Sequence, residues 1–496
     1  MASALDKDLK QVQGIGNATQ TLLRSLAAPG LAFVFLLAAG VWASFGFGQG
    51  PSTLVVAFAA AIAGYMALNI GANDVANNMG PAVGARAISM AGALIVAAIF
   101  EAAGALISGG NVASTVAQGL ISMPEIDDTK LVMVMLSALI ASALWINLAT
   151  YIHAPVSTTH SIVGGVVGAG ISAAGMSVVS WPMIGAIAAS WVISPVMGGV
   201  IAALLLVIVR ATIIERLDKL AAARIWVPVF VAVMTGTFAM YLAIKGLGRL
   251  WSPDLLQTLV VGFIFAALGW LVAMPRVRKR SLQMENRSKH VATLFRIPLV
   301  VAAALLSFAH GANDVANAVG PLAAIVTSLE SGRSAVVNLP FWELAIGALG
   351  ISLGLALFGP RLIRTVGEHI TRLNEIRACC AALSTAMTVL VASALGLPVS
   401  TTHIAVGAIF GIGFVREYIS RRDMVDKAVP VNSRFVDPER LNATPEEALA
   451  NARKAERRRL VRRQHAYSIA AAWLVTLPAA SALAALFYLA MNWIIV

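Results

Sequence analysis

Two short stretches of this chain place carboxylates, amides and hydroxyls amid apolar sequence, and each occurs twice. GANDVANNMGP at 71–81 returns as GANDVANAVGP at 311–321, and PVSTTHSIVGGVVGAGI at 155–171 returns as PVSTTHIAVGAIFGIGF at 398–414. If 71–81 is helical, Asn73, Asp74 and Asn77 share a face, and so do Asn313, Asp314 and Asn317. A carboxylate flanked by amide oxygens suits a hard cation, Na⁺ at Asp74, Asn77, Asp314 and Asn317; alternatively each aspartate carries a proton. The plain alternative is polar glue between helices, worth only about 0.6 kcal/mol per contact. Ionisable groups repeated in the same apolar context point instead to use.

The second motif supplies Ser157, Thr158 and Thr159, then Ser400, Thr401 and Thr402. A proline (Pro155, Pro398) followed by hydroxyls before an apolar run reads as a helix N-terminus. Free backbone N–H groups and the helix dipole attract an anion there. Capping alone needs one hydroxyl per helix, and two such termini facing each other at the membrane midplane would cradle one oxyanion. His160 and His403 could orient the tips, relay a proton or simply pack. His310 has no counterpart, because Ile70 stands at its position in the first copy. It therefore cannot belong to a symmetric site, and all three histidines are expected to be structural. Glu101 and Glu343 lie in apolar spans at matching distance from the first motif, as coupling or supporting residues. Ser157, His160 and Asp74 could suggest an intramembrane serine hydrolase, but a triad needs one asymmetric site and these residue types come in pairs.

These residues need elements to hold them, and the composition says which. Of 496 residues, 59% are hydrophobic and 12% charged, against about 25% charged in a soluble domain. The 41 glycines suit helices that approach closely in a membrane. Eleven apolar runs are long enough to span: 28–48, 52–70, 87–108, 130–151, 183–207, 225–244, 255–274, 297–310, 341–359, 378–396 and 467–496. The net charge of +12 lies in connections between them, which is the positive-inside pattern and not a nucleic-acid surface. Basic connections 208–224, 275–296 and 416–466 belong in the cytoplasm, and the acidic 109–129 outside. A surface helix on anionic lipid suits 446–465. Adjacent Cys379 and Cys380 make no disulfide framework. No nucleotide-binding motif is present, which disfavours ATP-driven transport.

With the basic loops inside, 130–173 becomes a hairpin entering from outside and 378–415 one entering from the cytoplasm. The fold expected is an all-α integral membrane protein with two inverted-topology repeats, broken helices and re-entrant hairpins. Its parts are a cytoplasmic segment and extra transmembrane helix at 1–51, a first repeat at 52–207 and linking helices at 208–296. A second repeat core at 297–415, a basic loop at 416–466 and a C-terminal helix at 467–496 follow. Helix breaks are expected at Gly71 and Gly80–Pro81.

The doubled GANDVAN and PVSTTH motifs resemble those of the inorganic phosphate transporter (PiT) family, from about residue 52 to 415. The resemblance implies a multi-pass protein of the cell inner membrane that moves inorganic phosphate with Na⁺ or H⁺, with no enzymatic activity and no other cofactor. It implies that Asp74, Asn77, Asp314 and Asn317 help bind the coupling cation and that Ser157, Thr158, Thr159, Ser400, Thr401 and Thr402 contact phosphate. It also implies functional importance for Glu101 and Glu343. The family includes proton-linked carriers of metal–phosphate complexes and some sulfate carriers, so a sulfate symporter is the alternative. Partners expected are phosphate, the cation and membrane lipid, with no nucleic acid and a homodimer left open.

Overall fold

The computed structural model describes residues 26–122, 126–152, 156–246, 253–331, 339–365, 373–428 and 463–495. Among these, the chain is almost entirely helical, with one isolated β-bridge between Ile121 and Val179. Eleven helical stretches are long and apolar enough to cross a membrane, one for each run expected from the sequence. Peptide groups cannot be left unpaired in hydrocarbon, and helices satisfy them internally.

The helices are α1 (Leu26–Phe47), α2 (Thr53–Gly84), α3 (Met90–Ser108), α4 (Asp128–Tyr151), α5 (Thr158–Ala174), α6 (Trp181–Val209), α7 (Lys219–Tyr241), α8 (Leu255–Ser281), α9 (Arg296–Asp314), α10 (Ala316–Ser331), α11 (Phe341–Thr365), α12 (Glu375–Ala394), α13 (Thr401–Ala428) and α14 (Arg463–Ile495). Side-chain caps start several of them: Ser89 on α3, Asp127 on α4, Asp218 on α7 and Asn374 on α12. Asp254 and Gln257 form a capping box on α8.

The motif-bearing helices pack across the duplication. Helix α2 lies against α11, and α9 against α3. Glycines set the distance. A Cβ on Gly71 would meet the Ile351 carbonyl oxygen at 2.0 Å, and one on Gly311 would meet that of Glu101 at 2.0 Å. Gly354 and Gly104 approach the carbonyls of Leu68 and Phe308 in the same way. The hairpins are likewise embraced by the other half's last helix. Gly407 and Gly411 of α13 press on Pro195 and Gly199 of α6, while Gly164 and Gly168 of α5 press on Leu477 and Ser481 of α14. Small residues at crossings let backbones touch where no hydrophobic effect drives association. Helices α7 and α8 pair mainly with each other at the periphery, and α8 leaves Phe263 and Leu255 exposed.

Several expectations need correction. Helix α2 is continuous over 32 residues through Gly71 and Pro81, so it does not break at either place. Gly71 serves close approach to α11, and Pro81 removes one helical bond without ending the helix. In the second copy the interruption falls at Val315, between α9 and α10, and not at Gly311 or Pro321. The basic connections are shorter than expected. Helix α8 runs to Ser281, a further helix spans Ser288–Leu294, α7 begins at Lys219, α13 runs to Ala428 and α14 begins at Arg463. Lysine and arginine are good helix formers, and they suit a helix C-terminus. The acidic 109–129 contains a short helix, Gly110–Ser114, continued by a π turn, Thr115–Gly119. Pro155, Glu125, the rest of the 416–466 loop with the 446–465 surface helix, and its basic cluster up to Arg462 lie outside the described residues.

Glu101 and Glu343 are not equivalent either. The paired glycine contacts put α3 and α11 in register at Gly104 and Gly354, which sets Glu101 opposite Ile351. Glu343 stands in the first turn of α11, about 12 Å along the helix from Ile351 at 1.5 Å per residue. Nearly matching distances in sequence, 27 residues from Asp74 to Glu101 and 29 from Asp314 to Glu343, hid a difference in the lengths of the connections.

Candidate functional site

The repeated motifs meet. Ser157 caps α5, its hydroxyl accepting from the His160 N–H at 3.2 Å, and Ser400 caps α13, accepting from the His403 N–H at 3.4 Å. Each cap takes the third N–H of its helix, which leaves those of Thr158 and Thr159, and of Thr401 and Thr402, without helical partners. The two tips touch: Thr159 Oγ1 donates to the Val399 carbonyl at 3.0 Å, and the His160 and His403 rings lie 4.6 Å apart.

The amides of the first motif pin the tips. Asn73 Nδ2 donates to Thr150 Oγ1 at 2.9 Å, and Asn313 Nδ2 donates to Ser393 Oγ at 3.0 Å. Asn313 also donates to the Leu397 carbonyl and accepts from the Val399 N–H, both at 3.1 Å. Both ends of the Asn313 amide are thus used in holding the hairpin. One turn on, the bonds cross between halves. Asn77 Nδ2 donates to Thr402 Oγ1 at 2.8 Å, and Asn317 Nδ2 reaches Thr158 and Thr159 Oγ1 at 3.4 Å.

Asp74 and Asp314 converge. Thr158 Oγ1 is 3.1 Å from Oδ2 of each. One hydroxyl carries one hydrogen, so it satisfies one carboxylate at a time. Asp74 Oδ1, Asp314 Oδ1 and Asn317 Oδ1 are buried with no hydrogen-bond partner among the described residues. Pro81 and Pro321 lie inside helices and lack the N–H that would return to the carbonyls of Asn77 and Asn317, so each motif leaves one backbone carbonyl without its usual helical donor. The result is a buried cluster rich in oxygen acceptors and poor in donors, which suits a cation or a shared proton.

His310 sits inside this cluster, against the expectation that it is only structural. Its Nε2 is 3.6 Å from Asp74 Oδ2 and 3.4 Å from Asp314 Oδ2, and its Nδ1 is 3.2 Å from Glu101 Oε2. Asn78 Nδ2 donates to Glu101 Oε1 at 2.8 Å. Asp74, Asp314, Glu101 and His310 are all buried. Glu343 is buried as well, but it lies outside this cluster and neither of its oxygens has a hydrogen-bond partner among the described residues.

Sequence reasoning missed two contributors. Asn78 is one, although the change from Asn78 to Ala318 between the motif copies was the available signal. Trp191 of α6 is the other. Its ring lies 3.7 Å from that of His160, and its Nε1 donates to the Pro398 carbonyl at 3.2 Å, so one side chain braces both tips. A lone tryptophan in an apolar span carries no mark of that role.

Residues 70–484 match the model of the phosphate transporter family. The chain is 44% identical to the "Putative phosphate permease" of Helicobacter pylori strain 26695, over 98% of this chain and 99% of that one. It is 37% identical to "Inorganic phosphate transporter 2-1, chloroplastic" of Arabidopsis thaliana, over 75% of this chain and 68% of that one. A solved structure described as "The sodium-dependent phosphate transporter" superposes with a TM-score of 0.75 at 33% identity, covering 89% of this chain and all of the other.

Proposed function

Since the chain belongs to the phosphate transporter family, we propose that it is a secondary symporter carrying inorganic phosphate across the cytoplasmic membrane together with Na⁺. One observation carries the reading: two carboxylates from duplicated helices converge on a hydroxyl at the N-terminus of a hairpin helix. Phosphate carries more than one negative charge near neutral pH. Beside Asp74 and Asp314, in a site closed to water, it would be repelled. A cation held by the aspartates, Asn317 Oδ1 and the freed carbonyls removes that repulsion. Cation and anion then bind cooperatively, by linkage. The unpaired N–H groups of α5 and α13 receive the anion, with the Ser157–Thr159 and Ser400–Thr402 hydroxyls around it.

The donor set of oxygens favours Na⁺ over H⁺, and the structural neighbour's printed dependence on sodium supports this. Rocking of two inverted repeats about the touching tips would expose the site to each side in turn. Support comes from packing contacts that occur in pairs and from basic residues gathered at one end of α8.

Radiolabelled phosphate uptake into proteoliposomes under imposed gradients tests the reading. Uptake should follow an inward Na⁺ gradient and be competed by arsenate. Equal uptake from a proton gradient without Na⁺ would replace Na⁺ by H⁺. Competition by sulfate as strong as by arsenate would replace phosphate by sulfate. Orientation has its own check, with Cys379 and Cys380 replaced by serine. Leu255→Cys should react with an impermeant thiol reagent from outside intact cells, and Arg287→Cys should not.

A further inference from the structure

Helices α6 and α13 run side by side with the same polarity, and glycines make their contact tight. A Cβ on Gly407 would meet the Pro195 carbonyl oxygen at 2.1 Å, and one on Gly411 would meet that of Gly199 at 2.0 Å. Small residues that let two backbones touch leave no side chains to fill the space beside them. A groove of about 510 Å³ opens there, with Val196, Val200 and Ala203 on the α6 wall and Phe410 and Phe414 on the α13 wall. His403 stands at its inner end and is its one polar residue among those described. Val196, Val200 and Phe414 are exposed, so the groove is open along its side. We propose that it binds one acyl chain of an anionic phospholipid of the cytoplasmic leaflet.

Length and volume select the occupant. From His403 to Val415 the groove follows α13 for about 18 Å at 1.5 Å per residue. Half of a hydrocarbon core is about 15 Å, so the groove is one leaflet deep. A methylene fills about as much space as a water molecule in the liquid, about 30 Å³, so the volume suits about 17 carbons, which is one acyl chain. A further helix is too large: at about 10 Å across, it would need about 1,400 Å³ over the same length. Water is disfavoured by the lining, because a bound water needs about 2–4 polar partners.

Charge selects the headgroup. Arg210 follows the end of α6, and α13 leaves the groove through Arg416. Over 210–216 and 416–422, five arginines stand against two glutamates. Basic residues at the cytoplasmic surface attract anionic lipid. Tyr418 is exposed on the same stretch of α13, where an aromatic side chain suits the membrane interface. The inner end of the chain would lie against His403, whose ring is 4.6 Å from that of His160 on the other tip. Trp191, one turn before Pro195 on α6, braces both tips. A chain lodged in the groove therefore keeps the hairpin helix seated on the helix that holds the tips, and phosphate movement should depend on it. That last step rests on the proposed function, whereas lipid binding does not.

The test titrates purified full-length protein in detergent with dioleoylphosphatidylglycerol and counts bound lipid by native mass spectrometry. One lipid per chain should saturate, at lower concentration than dioleoylphosphatidylcholine. Val200→Trp and Ala203→Leu place side chain in the groove and should each weaken binding about tenfold or more. Arg416→Gln should weaken it about fivefold for phosphatidylglycerol alone, the worth of one basic residue near an anionic surface. Leu259→Trp, on the exposed face of α8, should change nothing. Wild-type binding in Val200→Trp or Ala203→Leu would overturn the site, and if neither folds, an unchanged lipid preference in Arg416→Gln overturns it equally. Loss of a dimer in the groove-filling variants, seen by light scattering with the lipid count unchanged, would make the groove a contact between copies of this chain instead. In liposomes, replacing phosphatidylglycerol by phosphatidylcholine should slow phosphate uptake by the wild type and not by Val200→Trp. Saturable lipid binding without uptake in either membrane would sink the transport reading and leave this site standing, and uptake without such binding would do the reverse.

Discussion

The hairpin tips and the ring around His310 are built from the same duplicated sequence, yet they differ in symmetry. At the tips, contacts come in pairs. Ser157 and Ser400 cap their helices alike, and Asn73 and Asn313 pin equivalent hydroxyls. Asn77 and Asn317 reach across to Thr402 and Thr159. Around His310 the pairing fails at three linked positions, and only one half holds the chain Asn78–Glu101–His310. Paired contacts suit a substrate that must be met from both sides of the membrane. A single chain suits something the site holds in one place. The two aspartates belong to both arrangements, and this makes them the most sensitive point of the molecule.

Asp74→Asn and Asp314→Asn should therefore have the largest effect, each lowering coupled phosphate uptake by about 100-fold or more while the protein remains folded in the membrane. In the proposed symport each change removes a charge that the cation needs, and a loss of about 3 kcal/mol corresponds to that factor. Uptake assays with expression controls check it. Near-normal uptake by either variant would show that the two halves are unequal at the aspartates as well.

Glu101→Gln comes next, with an expected loss of about 10–100-fold, the range typical of a supporting carboxylate behind a functional histidine. The matching change in the other half is the control: Ile351→Val should stay within about twofold in uptake, since it removes one methyl group, at about 0.5–1.5 kcal/mol of stability, and no polar group. Glu343→Gln should fall between them. If Glu343→Gln is as damaging as Glu101→Gln, the contrast between a central and a peripheral glutamate fails.

Much of this is legible in the sequence itself. Span number, hairpin tips and the doubled motifs follow from apolar length and repetition, because lipid leaves a chain few ways to satisfy its backbone. The aspartates were legible as ionisable groups in apolar sequence. The connections were not, because Lys- and Arg-rich segments such as Arg276–Arg280 read as loop while continuing α8 as helix. Gly71 and Pro81 were legible as special but misread as breaks, since sequence does not say whether a glycine bends a helix or admits a neighbour. His310 was set aside for lacking a twin. Symmetry was the wrong test for it, because Ile70, Ala318 and Ile351 are positions where the duplication was free to diverge.

The smallest expected effect concerns the tips. Thr159→Val and Thr402→Val each remove one hydroxyl and keep the side-chain volume nearly constant. In the wild-type protein Thr402 accepts from Asn77 at 2.8 Å. Thr159 is met by Asn317 at 3.4 Å and donates to Val399 at 3.0 Å. Each loss leaves a buried amide or carbonyl less satisfied, at about 1–3 kcal/mol. If the tips are equivalent parts of one anion site, both variants should raise the KM for phosphate by about 5–10-fold, which is about 1–1.4 kcal/mol, with kcat little changed. Initial-rate measurements across phosphate concentration separate the two constants. A pure kcat effect in both would assign the hydroxyls to the movement of the tips past each other. A KM effect in one alone would carry the asymmetry of the His310 side into the anion site, and the pairing of contacts at the tips would then be a matter of packing only.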